Sequence, residues 1–399
     1  MDCGGVVLYV EQWANELKVV INALSARLGG GQTYLINLLR CIPAREELEV
    51  SILGPNSLRA SIDHVDLRWL LPSWPVENPL IRTVWERFRL PGILQELGAD
   101  VLFCPGGVVA TPAPKGCKVV TMFRNMIPFD LVQRERYPLG YMRVRNWLLE
   151  RSLLRSMLRA DLVIFVSQFA KQVIERRAPG QIRRSAVIPH GVGPEFRLAD
   201  APAARPSWLP RENYLLYVST FDVYKAQVQV VREFALLKQR RTGQEKLVLV
   251  GSDSQNPQYA QAVRDEIHNL GLEGQVIILG LIPYRELPAL YQHAAVNIFA
   301  TESENCPNIL LEAMAAGRPV VCSSFPPMPE FGGDAVSYFN PRKPSDLATK
   351  VSQVLDHPSF SLSLGERAAA RASNYNWETA ASSTWKILQS LASKKCQVP

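Results

Sequence analysis

Short apolar runs rich in valine, isoleucine and leucine recur through most of this chain, with helix-patterned segments between them. In the first half the runs are Lys18–Ala23, Asp100–Cys104, Val119–Met122, Leu162–Val166 and Ala186–Pro189. In the second half they are Tyr214–Ser219, Leu247–Val250, Val276–Leu279, Val296–Ala300 and Pro319–Cys322. Most do not alternate in polarity, which is how strands covered on both faces read. Strand and helix in alternation predict an α/β chain of repeated β-α units on parallel sheets. Residues 194–213 break the pattern: they are rich in proline, carry no periodic stripe and read as a linker between two sheets of comparable size.

The chain's 399 residues suit two or three domains. Apolar residues at 47% and charged residues at 20% exclude wholesale disorder. No apolar run reaches the roughly 18–20 residues that span a bilayer. The opening Met1-Asp2-Cys3-Gly4-Gly5 has no basic region, and Glu11 and Asn15 interrupt the stretch behind it, so neither a signal peptide nor an anchor is expected. Seven scattered cysteines without C-x-x-C spacing argue against a disulfide framework or a zinc site and point to a reducing, cytoplasmic setting. The net charge of +7 is unevenly placed: Arg124 to Arg184 holds 13 basic and 5 acidic residues. Such a patch suits nucleic acid, anionic lipid or an anionic substrate, or simply keeps a helix face soluble.

The densest motif is TESENCPNILLEAMAAGRP, residues 301–319. A strand runs into a polar loop, and a helix starts near Pro307 or Asn308, where proline's missing N–H costs nothing. The N–H groups of such a helix start favour a phosphate or another anion. Glu304 belongs to the loop and Glu312 to the second helical turn. Carboxylates at these points can accept hydrogen bonds from sugar hydroxyls; equally, they can be solvated glutamates on a capped helix. Gly317-Arg318-Pro319 then ends the helix and restarts a strand.

The E-x7-E spacing followed by AMAAGRPVV resembles the signature of retaining, nucleotide-sugar-dependent glycosyltransferases of family four. The resemblance runs from about residue 18 to 390 and implies the GT-B fold, two Rossmann-like domains facing across a cleft. It implies an N-terminal acceptor-side domain over 1–195, a linker over 196–213 and a C-terminal nucleotide-sugar domain over 214–376. A last helix, 377–395, would pack back on the first domain, and Trp377, Ala381, Trp385 and Leu388 share one face of it. By the same resemblance Glu304 is the sugar-side residue and Glu312 the ribose-side residue, while the backbone of Asn305, Cys306, Pro307 and Asn308 approaches sugar and diphosphate.

A second motif, YVSTFDVYK over Tyr217–Lys225, precedes a stripe of Val230, Val231, Phe234 and Leu237. A loop lysine at a strand's carboxyl end can neutralise a leaving diphosphate, and the resemblance gives Lys225 that role beside Glu304. The family's arginine about six residues earlier is replaced here by Ser219 or Thr220. A third motif, LGGGQ over Leu28–Gln32, turns a strand into a helix carrying Tyr34, Leu35, Leu38 and Leu39. Glycines at such a turn can expose N–H groups or simply make a tight turn; in the family this loop faces the diphosphate, which makes Gly30 and Gly31 candidates. The LGLIP segment ending the strand before Ile282 lies near the base in the family.

The first domain departs from the pattern. Family members often carry His-Asp before a proline; here the segment reads Phe123-Arg124-Asn125-Met126-Ile127-Pro128. Arg124, Asn125 and His190 are candidates for the acceptor or phosphate side. No acidic pair or His/carboxylate cluster predicts a metal, and no cofactor beyond a UDP- or GDP-linked sugar is expected. Segment Tyr141–Arg159 is helical, with Leu148, Leu149, Leu153, Leu154 and Leu158 on one face and arginines beside it. It reads either as a core-facing helix or as a peripheral contact with the inner face of an anionic membrane. Together these features predict hexose transfer to a glycan or lipid-linked acceptor in surface polysaccharide synthesis. The alternative is a catalytically degenerate nucleotide-sugar-binding homologue. Nucleic acid is not an expected partner, because no RNP aromatics, zinc spacing or helix-turn-helix cue accompanies the basic patch.

Overall fold

The computed structural model describes residues 17–26, 30–43, 48–62, 67–72, 74–198 and 204–392. Two sheets organise the chain. The first has seven strands, β1 (Leu17–Asn22), β2 (Leu48–Leu53), β3 (Arg68–Leu70), β4 (Val101–Cys104), β5 (Lys118–Phe123), β6 (Leu162–Phe165) and β7 (Ser185–Val187), in the order β3-β2-β1-β4-β5-β6-β7. The second has six, β8 (Tyr214–Val218), β9 (Lys246–Val250), β10 (Val276–Gly280), β11 (Val296–Phe299), β12 (Val320–Ser323) and β13 (Ser337–Phe339), in the order β10-β9-β8-β11-β12-β13. Every neighbouring pair in the second sheet is parallel. The unbroken apolar runs follow from this, since β4, β6, β8, β11 and β12 are buried along their whole length.

Three strands were not foreseen from the sequence. β3 and β13 are three residues long and lie at sheet edges, and β2 carries Glu49 within its apolar pattern. Short edge strands leave little periodic signal.

The chain divides into two compact units, residues 1–120 with 382–399, and residues 121–381. The core of the first gathers Val20, Leu53, Trp85, Leu90, Leu94 and Leu102. Its first helix, Gly30–Arg40, buries Tyr34, Leu35, Leu38 and Leu39. The last helix, Trp377–Ala392, meets it there: the Trp385 indole donates to the Leu38 carbonyl at 3.0 Å, and Thr384 shares a hydrogen bond with the Tyr34 hydroxyl. The second unit holds the whole second sheet with its own core. The proline-rich stretch at 194–213 is not merely a solvated connector, because Phe196 and Leu209 are buried in that core.

The helix Tyr141–Arg159 keeps most of the expected leucine face inward: Leu153 is buried and Leu149, Leu154 and Leu158 are half-buried, while Leu148 alone of the five is exposed. Its other buried positions are Asn146, Glu150, Ser156 and Met157, and Glu150 accepts from Arg134 and Arg177, both at 2.6 Å.

Local geometry tightens around the second sheet's carboxyl edge. Gly251, at φ 152°, lies so close to the Ser219 carbonyl that a Cβ would fall 2.0 Å from it. Ala226, which starts the helix Gln227–Arg240, is left-handed at φ 56°. A Cβ in that region costs about 1–2 kcal/mol. Ala226→Gly is therefore expected to stabilise the second unit by about 1 kcal/mol, raising its melting temperature by a few degrees, and Ala226→Val to lower it, both read by differential scanning calorimetry.

Candidate active site

In an open parallel sheet, the crevice for ligands opens at the carboxyl ends of the strands where the strand order reverses. In the second sheet that point lies between β8 and β11. The loop after β8 carries Lys225 and the loop after β11 carries Glu304, and their tips meet: Lys225 Nζ is 2.5 Å from Glu304 Oε1. Lys225 is only 6% exposed. Burial works against its ammonium, but Glu304 more than offsets this and lifts its pKa above the usual lysine value. The Tyr224 ring lies 5.0 Å from the same ammonium.

The backbone around Lys225 is held from several sides. Asp222 caps the single turn Val223–Lys225 by accepting from the Val223 N–H at 2.7 Å. Both Asp222 oxygens also accept from the Tyr137 hydroxyl, at 3.1 and 3.0 Å, and Asn256 donates to one of them. The buried Tyr217 hydroxyl donates to the Lys225 carbonyl at 2.6 Å. Across the pair, the Glu302 N–H donates to the Tyr224 carbonyl, and the Glu302 carboxylate accepts from Gln133 and Arg136.

The loop continues through Asn305, whose side-chain N–H donates to the Phe123 carbonyl at 3.1 Å. Asn305 Oδ1 and Ser303 Oγ are buried with no hydrogen-bond partner. Burial pushes the Cys306 thiol up to about 12, so it is no nucleophile at neutral pH. The five described cysteines, Cys41, Cys104, Cys117, Cys306 and Cys322, are all free. The helix Asn308–Ala315 follows Pro307, and no side chain caps its N-terminus. Asn308 meets His190, with Nδ1 and Oδ1 3.1 Å apart. His190 packs beside the Trp377 ring at 5.5 Å. Burial, aided by the nearby Arg124 charge, lowers the His190 pKa to about 3, so the imidazole is neutral at neutral pH.

Glu312, on the second turn of that helix, is 7% exposed and is not a solvated glutamate. Its Oε1 accepts from the Tyr284 hydroxyl at 2.9 Å and its Oε2 faces the Tyr291 hydroxyl at 3.5 Å. Burial raises its pKa to about 7, with Glu195 adding to the rise and the tyrosines opposing it.

Lys225, Glu304, Asn305, Asn308, His190 and the Phe123-Arg124 backbone thus belong to one chain of contacts at this edge. Ser219 is buried and Ile282 is half-buried on the second core. Asn125 is exposed. Gly30 and Gly31 open the first helix of the first unit, while Leu28 and Gly29 of the same turn lie outside the described residues. Among the described residues no His, Cys, Asp and Glu group is arranged to hold a metal ion, and no helix is long and apolar enough to cross a membrane. Sequence reasoning missed Tyr137, Asp222, Tyr284, Tyr291 and Glu302. Only Asp222 left a local signal, as a turn-capping residue three positions before Lys225.

The family model for glycosyl transferases group 1 matches residues 203–371, and that for glycosyltransferase family 4 matches residues 28–196. The chain belongs to the family-four glycosyltransferases. This glycosyltransferase is 26% identical over 241 residues to the O-antigen chain mannosyltransferase B of Escherichia coli, covering 59% of this chain and 62% of that one. It matches 32% of the serotype-specific mannosyltransferase WbdA of Escherichia coli at 25% identity over 66% of its own length. The chain therefore spans less than two thirds of these curated relatives. Solved structures with the same GT-B fold include Anabaena HepE in complex with UDP-glucose, at TM-score 0.71 and 18% identity, covering 94% of this chain and all of that one. WaaG, a glycosyltransferase involved in lipopolysaccharide biosynthesis, aligns at TM-score 0.66 and 15% identity over 93% of this chain and 99% of that one.

The neutral His190 has a stability consequence. The unfolded chain takes up a proton near pH 6.5 that the native imidazole refuses until about pH 3, so this group's contribution is lost as pH falls below 6.5. The melting temperature of the wild type is expected to drop more steeply between pH 6.5 and 4.5 than that of His190→Gln, measured by calorimetry in parallel.

Proposed function

We propose that this glycosyltransferase moves a hexose from a nucleoside diphosphate sugar to a hydroxyl of a glycan or lipid-linked acceptor, with retention at the anomeric carbon, in surface polysaccharide synthesis. The observation that carries the reading is the buried Lys225–Glu304 pair at the switch point of the second sheet. A buried ammonium at the carboxyl end of a strand stabilises the charge that develops on a departing diphosphate. The uncapped start of the helix Asn308–Ala315 adds N–H groups for the same anion. On this reading Glu304, beside the lysine, takes the sugar, and Glu312 takes the ribose hydroxyls. Asn305 Oδ1 and Ser303 Oγ are buried acceptors in the same loop and can take sugar hydroxyls.

No strong base is needed. His190 is neutral but deeply buried against Asn308. On this reading the departing phosphate oxygen accepts the acceptor's proton on the same face, and the protein supplies position and charge. The relatives named as an O-antigen chain mannosyltransferase and a serotype-specific mannosyltransferase support a hexose donor and a surface-glycan acceptor. The test is a thermal-shift screen of UDP, GDP and ADP with their sugar conjugates, followed by transfer assays with NMR of the product anomer. One nucleotide series is expected to stabilise the protein. Lys225→Ala and Glu304→Ala are each expected to lower transfer about 100-fold or more, and unchanged turnover in both overturns the assignment.

The same reading places the acceptor at a membrane surface. On the helix Tyr141–Arg159, Tyr141, Val144, Trp147 and Leu148 are exposed, as are Leu131, Val132 and Leu139 before it. Arg145, Arg151 and Arg155 are exposed on the same helix, with the Arg151 guanidinium stacked 3.6 Å from the Trp147 ring. Apolar side chains framed by arginines suit an anionic bilayer interface. The protein is expected to sediment with phosphatidylglycerol-containing vesicles and not with pure phosphatidylcholine. Arg145→Gln with Arg151→Gln is expected to weaken that binding about 30-fold, at ~1 kcal/mol for each arginine.

A further inference from the structure

We propose that Tyr284 is a positioning residue for the nucleotide's ribose: its hydroxyl holds Glu312 as an oriented carboxylate, in opposition to Glu195. This rests on the donor-site reading above and adds to it a residue that the sequence motif does not contain.

A carboxylate offers two oxygens with about four acceptor positions, whereas a protonated carboxyl has fewer and must place a donor of its own. A ribose presents two neighbouring hydroxyls, both best bound as donors to an ionised group. Glu312 must therefore be both ionised and fixed in rotation. Tyr284 supplies the fixing. It follows Pro283 in the turn after β10, and its hydroxyl lies 2.9 Å from Glu312 Oε1. Its ring is held edge-on against Phe196 at 5.1 Å, and Phe196 packs in turn on Tyr291 at 5.9 Å. One bond to Oε1 leaves acceptor capacity on both carboxylate oxygens. Tyr284 is 44% exposed, so it bonds Glu312 from the solvent side while Tyr291 is fully buried behind it.

The groups facing Glu312 come from three elements. Tyr284 lies in the turn before the helix Leu287–His293, Tyr291 in that helix, and Glu195 in the turn Pro194–Phe196. Arg318, after the Glu312 helix, donates instead to the Gln292 carbonyl at 2.7 Å. Tyr284 and Tyr291 favour the ionised form, and Glu195 disfavours it together with burial. The balance leaves Glu312 titrating at about 7. The sign follows: the native chain keeps this proton up to about pH 7 while the unfolded chain releases it near 4.5, so this contribution to stability falls as pH rises between the two. Nucleotide binding moves the opposite way, strengthening as Glu312 ionises.

The experiment follows UDP and GDP binding by calorimetry from pH 6 to 9, and melting temperature over pH 4 to 9 without nucleotide. Four proteins are compared: the wild type, Tyr284→Phe, Glu195→Gln and Glu312→Gln. Glu312→Gln is expected to weaken the preferred nucleotide at least tenfold at pH 8, and its remaining pH dependence reports the nucleotide's own phosphate. Relative to that baseline, the wild-type affinity rises through pH 7. Tyr284→Phe is expected to move the midpoint up by about one pH unit, roughly a fivefold loss at pH 7 that recovers by pH 9. Glu195→Gln is expected to move it down. The melting curves carry the same two shifts independently of any ligand. Midpoints unmoved by Tyr284→Phe in both measurements overturn the proposal. Unchanged nucleotide affinity in Glu312→Gln overturns the donor-site reading instead, whatever the melting curves do.

Discussion

A parallel sheet sends the carboxyl end of every strand to one edge, and along that edge neighbours in space need not be neighbours in sequence. β8 and β11 lie side by side at the reversal of the second sheet, and the site follows from that adjacency. One loop brings a cation, the other an anion, from positions 79 residues apart. Removing both charges from water costs several kcal/mol, and their attraction repays it only when the geometry is held. Here the backbone holds it: Asp222 caps the turn, Tyr217 ties the Lys225 carbonyl, and the Glu302 N–H bridges to Tyr224. Tyr137, Gln133 and Arg136 brace the same two loops from a separate segment.

Local cost is spread over the molecule, and part of it falls at this edge. Asn78, Ser167 and Asn256 each accept an N–H from the first turn of their helix, but the helices that start at Leu90, Tyr141, Asp346 and Pro358 have no side-chain cap, like the one after Pro307. Ser345 is left-handed, as Ala226 is. What the edge adds is proximity: Ala226 adjoins Lys225, and Ser303 Oγ and Asn305 Oδ1, buried without partners, flank Glu304. Each of these opposes folding by about 1–3 kcal/mol.

The fold was legible because strands buried on both faces cannot hide their apolar runs. The strands that escaped, β2, β3 and β13, are short or carry a charge, so burial left no continuous mark. Lys225 and Glu304 were legible as candidates only through motif resemblance, since neither is unusual in its own stretch of sequence, and their pairing with each other was not legible. The partners of Glu312 were not legible at all. Tyr284 lies 28 residues before it on a different element, and no periodicity relates the two. In the helix Tyr141–Arg159 the leucine pattern found most of the inward face, with Leu153 buried and Leu149, Leu154 and Leu158 half-buried, but not the polar residues that share it. Glu150 is buried between Arg134 and Arg177, and hydrophobic pattern contains no term for such an ion-pair network.

Lys225 and Glu312 share an environment and end in opposite conditions. Burial pushes each toward its neutral form. Lys225 has a carboxylate against it and becomes a firmer cation than an ordinary lysine. Glu312 has only tyrosine hydroxyls on one side and a second carboxylate, Glu195, on the other, and hovers near neutrality. On the proposed reading the diphosphate meets the Lys225 ammonium and the ribose meets Glu312. Ribose hydroxyls donate best to an ionised carboxylate, so part of the binding free energy goes into ionising Glu312, and that cost falls as pH rises through its titration.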